Sequence, residues 1–212
     1  MNFLRDLENQ PNLAAGIFGV MVGIVTNNQD PEKLGRVKVK IPRLSGSDES
    51  DWTRVASLMA GKDRGTFFLP EVGDEVLLAF EGGDISRPYV IGALWNGVDT
   101  PPETNSDGKN GLRFIKSRSG HLIRFNDQEG SEKIEIIDKS GKNLVTIDSK
   151  TNKLTLSADG DIEISAAKGK VTIQAKELEI KTTAGVKIEA SAGMDLKASG
   201  NMTVKGAMVN IN

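Results

Sequence analysis

The stretch VKIEASAGMDLKASGNMTVKG, residues 186–206, decides the architecture of the second half of this chain. Cut every eight residues, it gives lines that open with an apolar–polar–apolar triplet and continue in Ala, Ser, Gly and Lys. The triplet is typical of a short strand with one buried and one solvated face. The stretch contains no aromatic ring, cysteine or histidine, so either it is filler of low complexity or the repetition itself is the function.

The same triplet recurs through most of the second half of the chain. Eight apolar pairs each enclose one polar residue: Ile134/Ile136, Leu154/Leu156, Ile162/Ile164, Val171/Ile173, Leu178/Ile180, Val186/Ile188, Met194/Leu196 and Met202/Val204. The last four pairs begin at 178, 186, 194 and 202, which is a period of eight residues. A strand and a tight corner at this period form one side of a solenoid. Two inward side chains per repeat do not fill a single-chain coil, so we expect a narrow aliphatic core shared between chains.

Composition divides the chain into two kinds of structure. All seven Phe, both Trp, the one Tyr and all seven Pro lie at or before Phe125.

The net charge of −2 gives no electrostatic case for nucleic acid or an anionic membrane, and the absence of Cys excludes disulfides and thiolate metal sites. The apolar stretch at 13–25 is too short and too Gly-rich for a membrane span and too acidic in its flank for a signal peptide. We therefore expect the chain to be cytoplasmic during assembly.

Residues 16–97 carry strand patterns rather than helical ones. Five segments alternate between apolar and polar residues: 19–27, 35–42, 52–58, 73–81 and 87–97. Val37, Val39 and Ile41 share one face of the second segment, and Gly82-Gly83 supplies turn chemistry between the last two. Five short strands in about eighty residues predict a small closed barrel such as an OB-fold. The expected barrel core includes aromatic side chains that alternate in the same way, namely Phe67, Phe68, Phe80, Tyr89 and Trp95.

Three motifs in this region resemble a known family. They are DPEKLGRVKV at 30–39, PEVGDEVLLAF at 70–80 and GDISRPYVIG at 83–92. In this order and spacing they are similar to the OB-fold domain of phage baseplate assembly protein V and of VgrG-type spikes of contractile injection systems. The resemblance implies an all-β homotrimer, in which the OB-fold is followed by an intertwined triple-stranded β-helix. The six pairs from Ile162/Ile164 to Met202/Val204 are the expected β-helix core.

The resemblance also implies an order of parts along the chain. We expect an N-terminal arm at 1–15, the OB-fold at 16–97, a linker or neck at 98–125 and a β-helix needle at 126–212. Many phage spikes of this family end in an H-x-H pair that binds iron, but no His follows His121 here. We therefore expect a blunt end that binds a separate PAAR-type tip protein. Its platform is expected to contain Met208, Val209, Ile211 and Asn212.

The implied function is mechanical. The trimer sits on a baseplate hub protein, and sheath contraction drives it through the envelope of the target cell, with transient membrane contact and with tube or effector cargo as a further partner. The implied location is a phage tail, a type VI apparatus or an extracellular injection particle. Catalytic, metal and cofactor sites are not predicted.

Two other functions stay open at this stage. A tailspike-like polysaccharide-binding or degrading protein would use carboxylates such as Glu71, Asp74 and Glu75 as an acid/base pair. An OB-fold module for single-stranded nucleic acid would use a basic groove, for which Arg36, Lys38 and Lys40 are the candidates. The solvated or protein-facing interpretation is favoured for both sets, and His121 is expected to be a surface or interface residue.

Overall fold

The computed structural model describes residues 16–44 and 47–210. The predicted N-terminal arm at 1–15 lies outside the described residues. The chain divides into two compact units, one ending at Asp159 and one beginning at Gly160. None of the helical segments in the described ranges has the length and apolar character that would be needed to cross a membrane.

Seven strands lie between Val20 and Leu94. In chain order the strands are β1 (Val20–Asn27), β2 (Lys38–Lys40), β3 (Arg54–Val55), β4 (Ala60–Gly61), β5 (Arg64–Gly65), β6 (Glu75–Phe80) and β7 (Pro88–Leu94). Five of them form one sheet in the order β2–β1–β6–β7–β3, while β4 and β5 form a separate hairpin. Each of the five predicted strand segments contains one strand of this sheet, whereas the β4–β5 hairpin was not predicted.

A backbone bridge joins the two edges of this sheet. The Val37 N–H donates to the Thr53 carbonyl at 3.0 Å, and the Thr53 N–H donates back at 2.7 Å. These residues precede β2 and β3, which are the outermost strands of the sheet. β3 also runs parallel to β7, unlike the other neighbours in the sheet. The sheet therefore curls back on itself, which confirms the predicted small barrel.

The barrel core is aliphatic and follows the predicted alternation. Its buried members are Val25, Val37, Val39, Ile41, Val76, Leu78, Phe80 and Val90. The prediction that Phe67, Phe68 and Trp95 belong to this core was wrong, because their exposed fractions are 79%, 66% and 69%. All three lie just outside a strand, where the period of two no longer sets the direction of a side chain.

A turn rich in glycine connects β6 to β7, as the sequence predicts. Glu81–Gly83 form one 3-10 turn, in which Gly82 has φ 60° and Gly83 has φ 80°. A Cβ at Gly83 would stand 2.9 Å from the Phe18 ring. Both the positive φ and the ring therefore require glycine at this position.

Five further strands form an antiparallel meander after the barrel. They are β8 (Leu112–Lys116), β9 (Leu122–Asn126), β10 (Lys133–Ile137), β11 (Leu144–Asp148) and β12 (Lys153–Ser157). Each pairs with the next, so that the sheet order is β12–β11–β10–β9–β8. The meander starts within the segment predicted as neck, 98–125. A turn at 117–121 lets β8 pair with β9, and a turn at 127–132 lets β9 pair with β10 across the predicted boundary.

The described residues of the second unit form no sheet of their own. Residues 160–210 form no hydrogen-bonded strand within the chain, and their side chains are exposed. Strands paired only between copies of a chain would leave the single chain in this state.

Candidate functional site

One face of the meander carries two rows of large apolar side chains. Antiparallel register places residues of successive strands directly opposite one another. The first row contains Ile115, Ile123, Ile136, Val145 and Leu156, and the second contains Phe125, Ile134, Ile147 and Leu154. We call these nine residues the aliphatic face.

The aliphatic face is uncovered in the single chain. The exposed fraction reaches 52% for Ile115, 53% for Ile136 and 70% for Leu154. A monomer rarely exposes a contiguous apolar patch beyond a few hundred Å². Eight of the nine side chains are exposed and adjoin one another, so the aliphatic face is more than the scattered apolar residues that a monomer normally exposes.

Charged side chains pair across the opposite face of the meander. The Arg124 guanidinium bonds the Glu135 carboxylate at 2.7 and 2.8 Å, and the Glu135 side chain is only 14% exposed. Lys133 and Asp148 approach to 3.9 Å across β10 and β11. The hydrogen-bonded ion pair satisfies its charges within the chain, so this face has less need of a partner than the aliphatic face.

The predicted β-helix core residues are all exposed in the single chain. The exposed fractions of the six pairs range from 49% at Met194 to 72% at Ile164. They are Ile162, Ile164, Val171, Ile173, Leu178, Ile180, Val186, Ile188, Met194, Leu196, Met202 and Val204. The chain by itself brings none of these pairs into a core. Their role as a core stays a prediction that only an assembly of copies tests.

The predicted tip platform falls partly outside the described residues. Met208 is 80% exposed and Val209 is 48% exposed, whereas Ile211 and Asn212 lie beyond the described range. The assignment of a tip-binding platform stays a prediction.

The acidic candidates of the barrel have structural partners. Glu71 accepts a bond from Arg118 at 2.6 Å, and Asp74 accepts the Glu71 N–H at 2.8 Å. Glu75 accepts a longer bond from the Asn96 amide at 3.3 Å. These contacts hold the entry of β6 and connect it to the meander, which is a structural use of carboxylates.

The basic candidates are also engaged within the chain. Arg36 bonds Asp30 through two nitrogens, at 2.8 and 2.9 Å. The Lys38 ammonium lies 3.6 Å from the Glu49 carboxylate and 5.7 Å from the centre of the Trp52 ring. This arrangement favours the protein-facing interpretation over a phosphate-binding groove, since two of the three cations are already paired.

Asp30 organises the loop that contains the first family motif. Its carboxylate accepts backbone N–H groups of Glu32, Leu34 and Arg36 as well as the Arg36 side chain. The Arg36 hydrogen bonds in particular hold the pKa of Asp30 well below its usual range. Gly35, with φ 71°, lets the loop turn into β2.

His121 has a structural contact rather than a ligand set. Its Nδ1 accepts the Lys139 N–H at 3.2 Å and so ties the turn before β9 to the turn after β10. Across residues 16–44 and 47–210, the structure contains no group of three His, Cys, Asp or Glu side chains placed to hold a metal ion.

Besides the aliphatic face of the meander, an apolar surface at the β4–β5 hairpin of the barrel is uncovered, and it was not predicted from the sequence. Leu58 and Met59 lie at the start of the β4–β5 hairpin and are 96% and 53% exposed. The signal that could have revealed them is the run GTFFLP at 65–70, where adjacent aromatic residues cannot all point into one barrel core.

Two protein families match separate parts of this chain. Residues 21–95 match the type VI secretion system/phage-baseplate injector OB domain. Residues 116–212 match DUF2345, a family described as an uncharacterized protein conserved in bacteria. The first match covers the barrel, and the second begins at the end of β8 and takes in the rest of the meander and the repeated strands.

Two curated spike proteins are similar to just over half of this chain. The type VI secretion system spike protein VgrG3 of Vibrio cholerae is 35% identical over 130 residues, which are 55% of this chain and 13% of that protein. The spike protein VgrG1a of Pseudomonas aeruginosa is 32% identical over 129 residues, 55% of this chain and 20% of that protein. The chain thus spans a fifth or less of their length. Its barrel thus matches the injector OB domain of type VI secretion systems and phage baseplates, and the chain is similar to VgrG spike proteins.

Proposed function

We propose that this chain is the central spike of a contractile tail or injection system, and that it acts as a homotrimer. The observation that carries the proposal is the aliphatic face of the meander, followed by six aliphatic pairs that are equally uncovered. Three copies whose aliphatic faces meet at one axis would bury all of these side chains. This proposal extends what the relatives' names state, which is a spike role in type VI secretion.

The energetics favour an assembly of copies. Burying two aliphatic side chains per repeat contributes roughly 3–6 kcal/mol per chain before conformational entropy is subtracted. Pairing between copies would also give the backbone of residues 160–210 the strand hydrogen bonds that these residues do not form within the chain. The needle at 126–212 would then be a stiff shaft. The OB-fold at 16–97 and the neck at 98–125 are the other predicted parts.

The proposed mechanism is mechanical. The OB domains sit on a baseplate hub protein, and sheath contraction pushes the shaft through the target envelope. A rigid shaft transmits this force without a chemical step, so the proposed role needs no catalysis. Cargo on the tube and transient membrane contact are further parts of the proposal, as is a location in the tail or injection particle after assembly in the producing cell.

A match to a toxin does not make this chain an enzyme. The actin cross-linking toxin VgrG1 of Vibrio cholerae is 27% identical over 144 residues, but these are only 13% of that protein. The shared region is the spike region common to the other relatives. We propose that this chain is a non-enzymatic spike.

A PAAR-type protein is the proposed partner at the C-terminal end. A full-length chain and a chain ending before Met208 are compared in co-expression with such a protein. Capture by the full-length chain alone supports the platform of Met208, Val209, Ile211 and Asn212. Equal capture by both forms contradicts it.

The trimer is tested by native mass spectrometry and by SDS gels of unheated samples. We expect a mass three times the chain mass of 22.8 kDa and a slow-migrating band that is lost on boiling. A monomer that melts readily would contradict the spike. Binding of single-stranded DNA that weakens steeply with salt would instead favour the nucleic-acid function.

A further inference from the structure

The barrel carries two separate uncovered apolar surfaces. The first, the hairpin groove, has a volume of about 680 Å³ and lies between residues 33–35 and the β4–β5 hairpin. Leu34, Leu58, Phe67 and Phe68 form its apolar lining, and each is more than half exposed. A groove of this size and composition on one barrel indicates a protein contact rather than a solvated surface.

The second surface, the outer sheet face, lies on β1, β6 and β7. Val20, Val22 and Ile91 are 58%, 41% and 46% exposed. Val22 stands opposite Leu77, which in turn stands opposite Gly92, so the middle of the surface is apolar and shallow. The outer face of a curled sheet is convex, so it suits contact with a protein surface better than binding of a small ligand, which needs a concave site.

The charges at the two surfaces are opposite in sign. Lys33 and Arg64 line the hairpin groove, and neither forms an ion pair with any residue that the structure describes. Glu75 lies at the border of the outer sheet face, opposite Leu94, with only the 3.3 Å bond from Asn96. Two grooves facing each other would bring four cations together, whereas a groove facing an outer sheet face would pair Arg64 or Lys33 with Glu75.

We infer that the hairpin groove of one copy receives the outer sheet face of the next copy. The groove lies on the β2–β3 side of the barrel and the outer sheet face on the β1–β6–β7 side, so each barrel can make both contacts at once. A contact between two different surfaces generates a ring when the rotation closes. Three barrels would close into such a ring. This inference rests on the proposed homotrimer and adds an interface at the level of the OB domains.

The absence of Cys from the chain allows a direct test. The full-length double variant Leu58→Cys/Val22→Cys is oxidised and separated on non-reducing SDS gels after boiling. We expect covalent dimers and trimers, because each copy supplies one thiol to each neighbour. The single variants Leu58→Cys and Val22→Cys are expected to give no covalent dimer, since like positions do not meet in such a ring. The matched control is Leu58→Cys/Asp51→Cys, in which Asp51 is exposed and outside both surfaces.

Each outcome separates this contact from the spike itself. Cross-linked trimers in the test variant above the level of the control support the ring. A native mass of three copies with no cross-linking above the control overturns the ring and leaves the spike standing. Dimers of the single variant Leu58→Cys overturn it as well, because they show groove-to-groove contact. A native mass of one copy contradicts the homotrimer and the ring together.

Discussion

Asp30 holds the loop between β1 and β2 through more hydrogen bonds than a surface carboxylate normally makes. Its side chain is only 3% exposed, and it accepts hydrogen bonds from two nitrogens of the Arg36 guanidinium. Geometry of this kind makes an ion pair strong, since the charges are shielded from water and held by a planar donor. The loop that this pair fixes also supplies Lys33 and Leu34 to the hairpin groove.

The lowered pKa of Asp30 predicts how stability depends on pH. Because the pKa is lower in the fold than in the unfolded chain, ionised Asp30 stabilises the barrel above about pH 4. This stabilisation is lost as the pH falls through the lowered pKa. We expect Asp30→Asn to reduce the free energy of unfolding at pH 7, and the difference from the parent chain to shrink below about pH 4.

Urea unfolding between pH 3 and pH 7, followed by Trp fluorescence, measures this difference. Both Trp residues lie in the barrel, so the signal reports on that part of the chain. The exposed Asp51 serves as the control through Asp51→Asn. A difference between Asp30→Asn and the parent chain that does not change with pH would contradict the assigned role of the Asp30 carboxylate.

Leu78 occupies the middle of the barrel core and is completely buried. A Cβ added at Gly23 would lie only 2.8 Å from the Leu78 Cδ1, so the site is tightly packed. We expect Leu78→Ala to lower the free energy of unfolding by about 2–5 kcal/mol, because lost transfer energy and a cavity add together. The same fluorescence measurement applies.

Val98 provides the matched control for this core substitution. It is 89% exposed, so Val98→Ala should change the free energy of unfolding by less than about 0.5 kcal/mol. Equal effects of the two substitutions would mean that the described core is not the cooperative core of the barrel.

At the scale of elements, the meander differs from the barrel in how it uses its apolar residues. The barrel closes on itself and buries its inner face within one chain. The meander is an open sheet of five strands, so its apolar face has nothing to close against. An open sheet with one apolar face is stable only when another layer covers that face. Under the proposed homotrimer, contacts between copies would therefore begin at the meander.

Ile136 tests whether copies of the chain cover the aliphatic face. It is 53% exposed in the single chain, so Ile136→Asp should leave an isolated chain folded. In a trimer the substitution buries three like charges near one axis, and it forfeits roughly 1.5–3 kcal/mol of apolar burial per copy as well. We expect loss of the SDS-resistant band and of the trimer mass.

Ser157→Asp is the control on the other face of the same meander. Ser157 is exposed, and the substitution changes the charge by the same amount. We expect this variant to keep the trimer mass. If both variants keep it, the aliphatic face does not lie at the interface between copies.

At the scale of the whole molecule, the chain separates into a unit that folds around its own contacts and a unit that does not. The first ends at Asp159 and the second begins at Gly160. The first unit contains both the barrel and the aliphatic face, so it holds an uncovered apolar surface of its own.

Truncation after Asp159 separates the contributions of the two units. We expect the truncated chain still to associate through its aliphatic face, giving a mass of three copies by analytical ultracentrifugation. It should dissociate at lower temperature and in less SDS than the full-length chain, because the six aliphatic pairs at 162–204 are missing. A truncated chain that stays monomeric at high concentration would place the whole association energy in residues 160–212.

The sequence by itself determined the barrel, and it predicted a core shared between chains for the second half. Strict alternation at Val37, Val39 and Ile41 identified the buried face of β2, because the period of a strand leaves no freedom in side-chain direction. The pairs from Ile162 onward indicated a core shared between chains, since two inward residues per repeat cannot fill a coil. That shared core stays a prediction.

Only the tertiary structure decided where non-local contacts lie. The Val37–Thr53 bridge closes the barrel and the 112–157 meander crosses the predicted neck, and both depend on pairing between strands that single-strand patterns do not specify. The exposure of Phe67, Phe68 and Trp95 was likewise not predictable from alternation, because these residues lie in loops. The sequence sets the direction of a side chain within a strand, but the contacts between strands and loops set which surfaces remain uncovered.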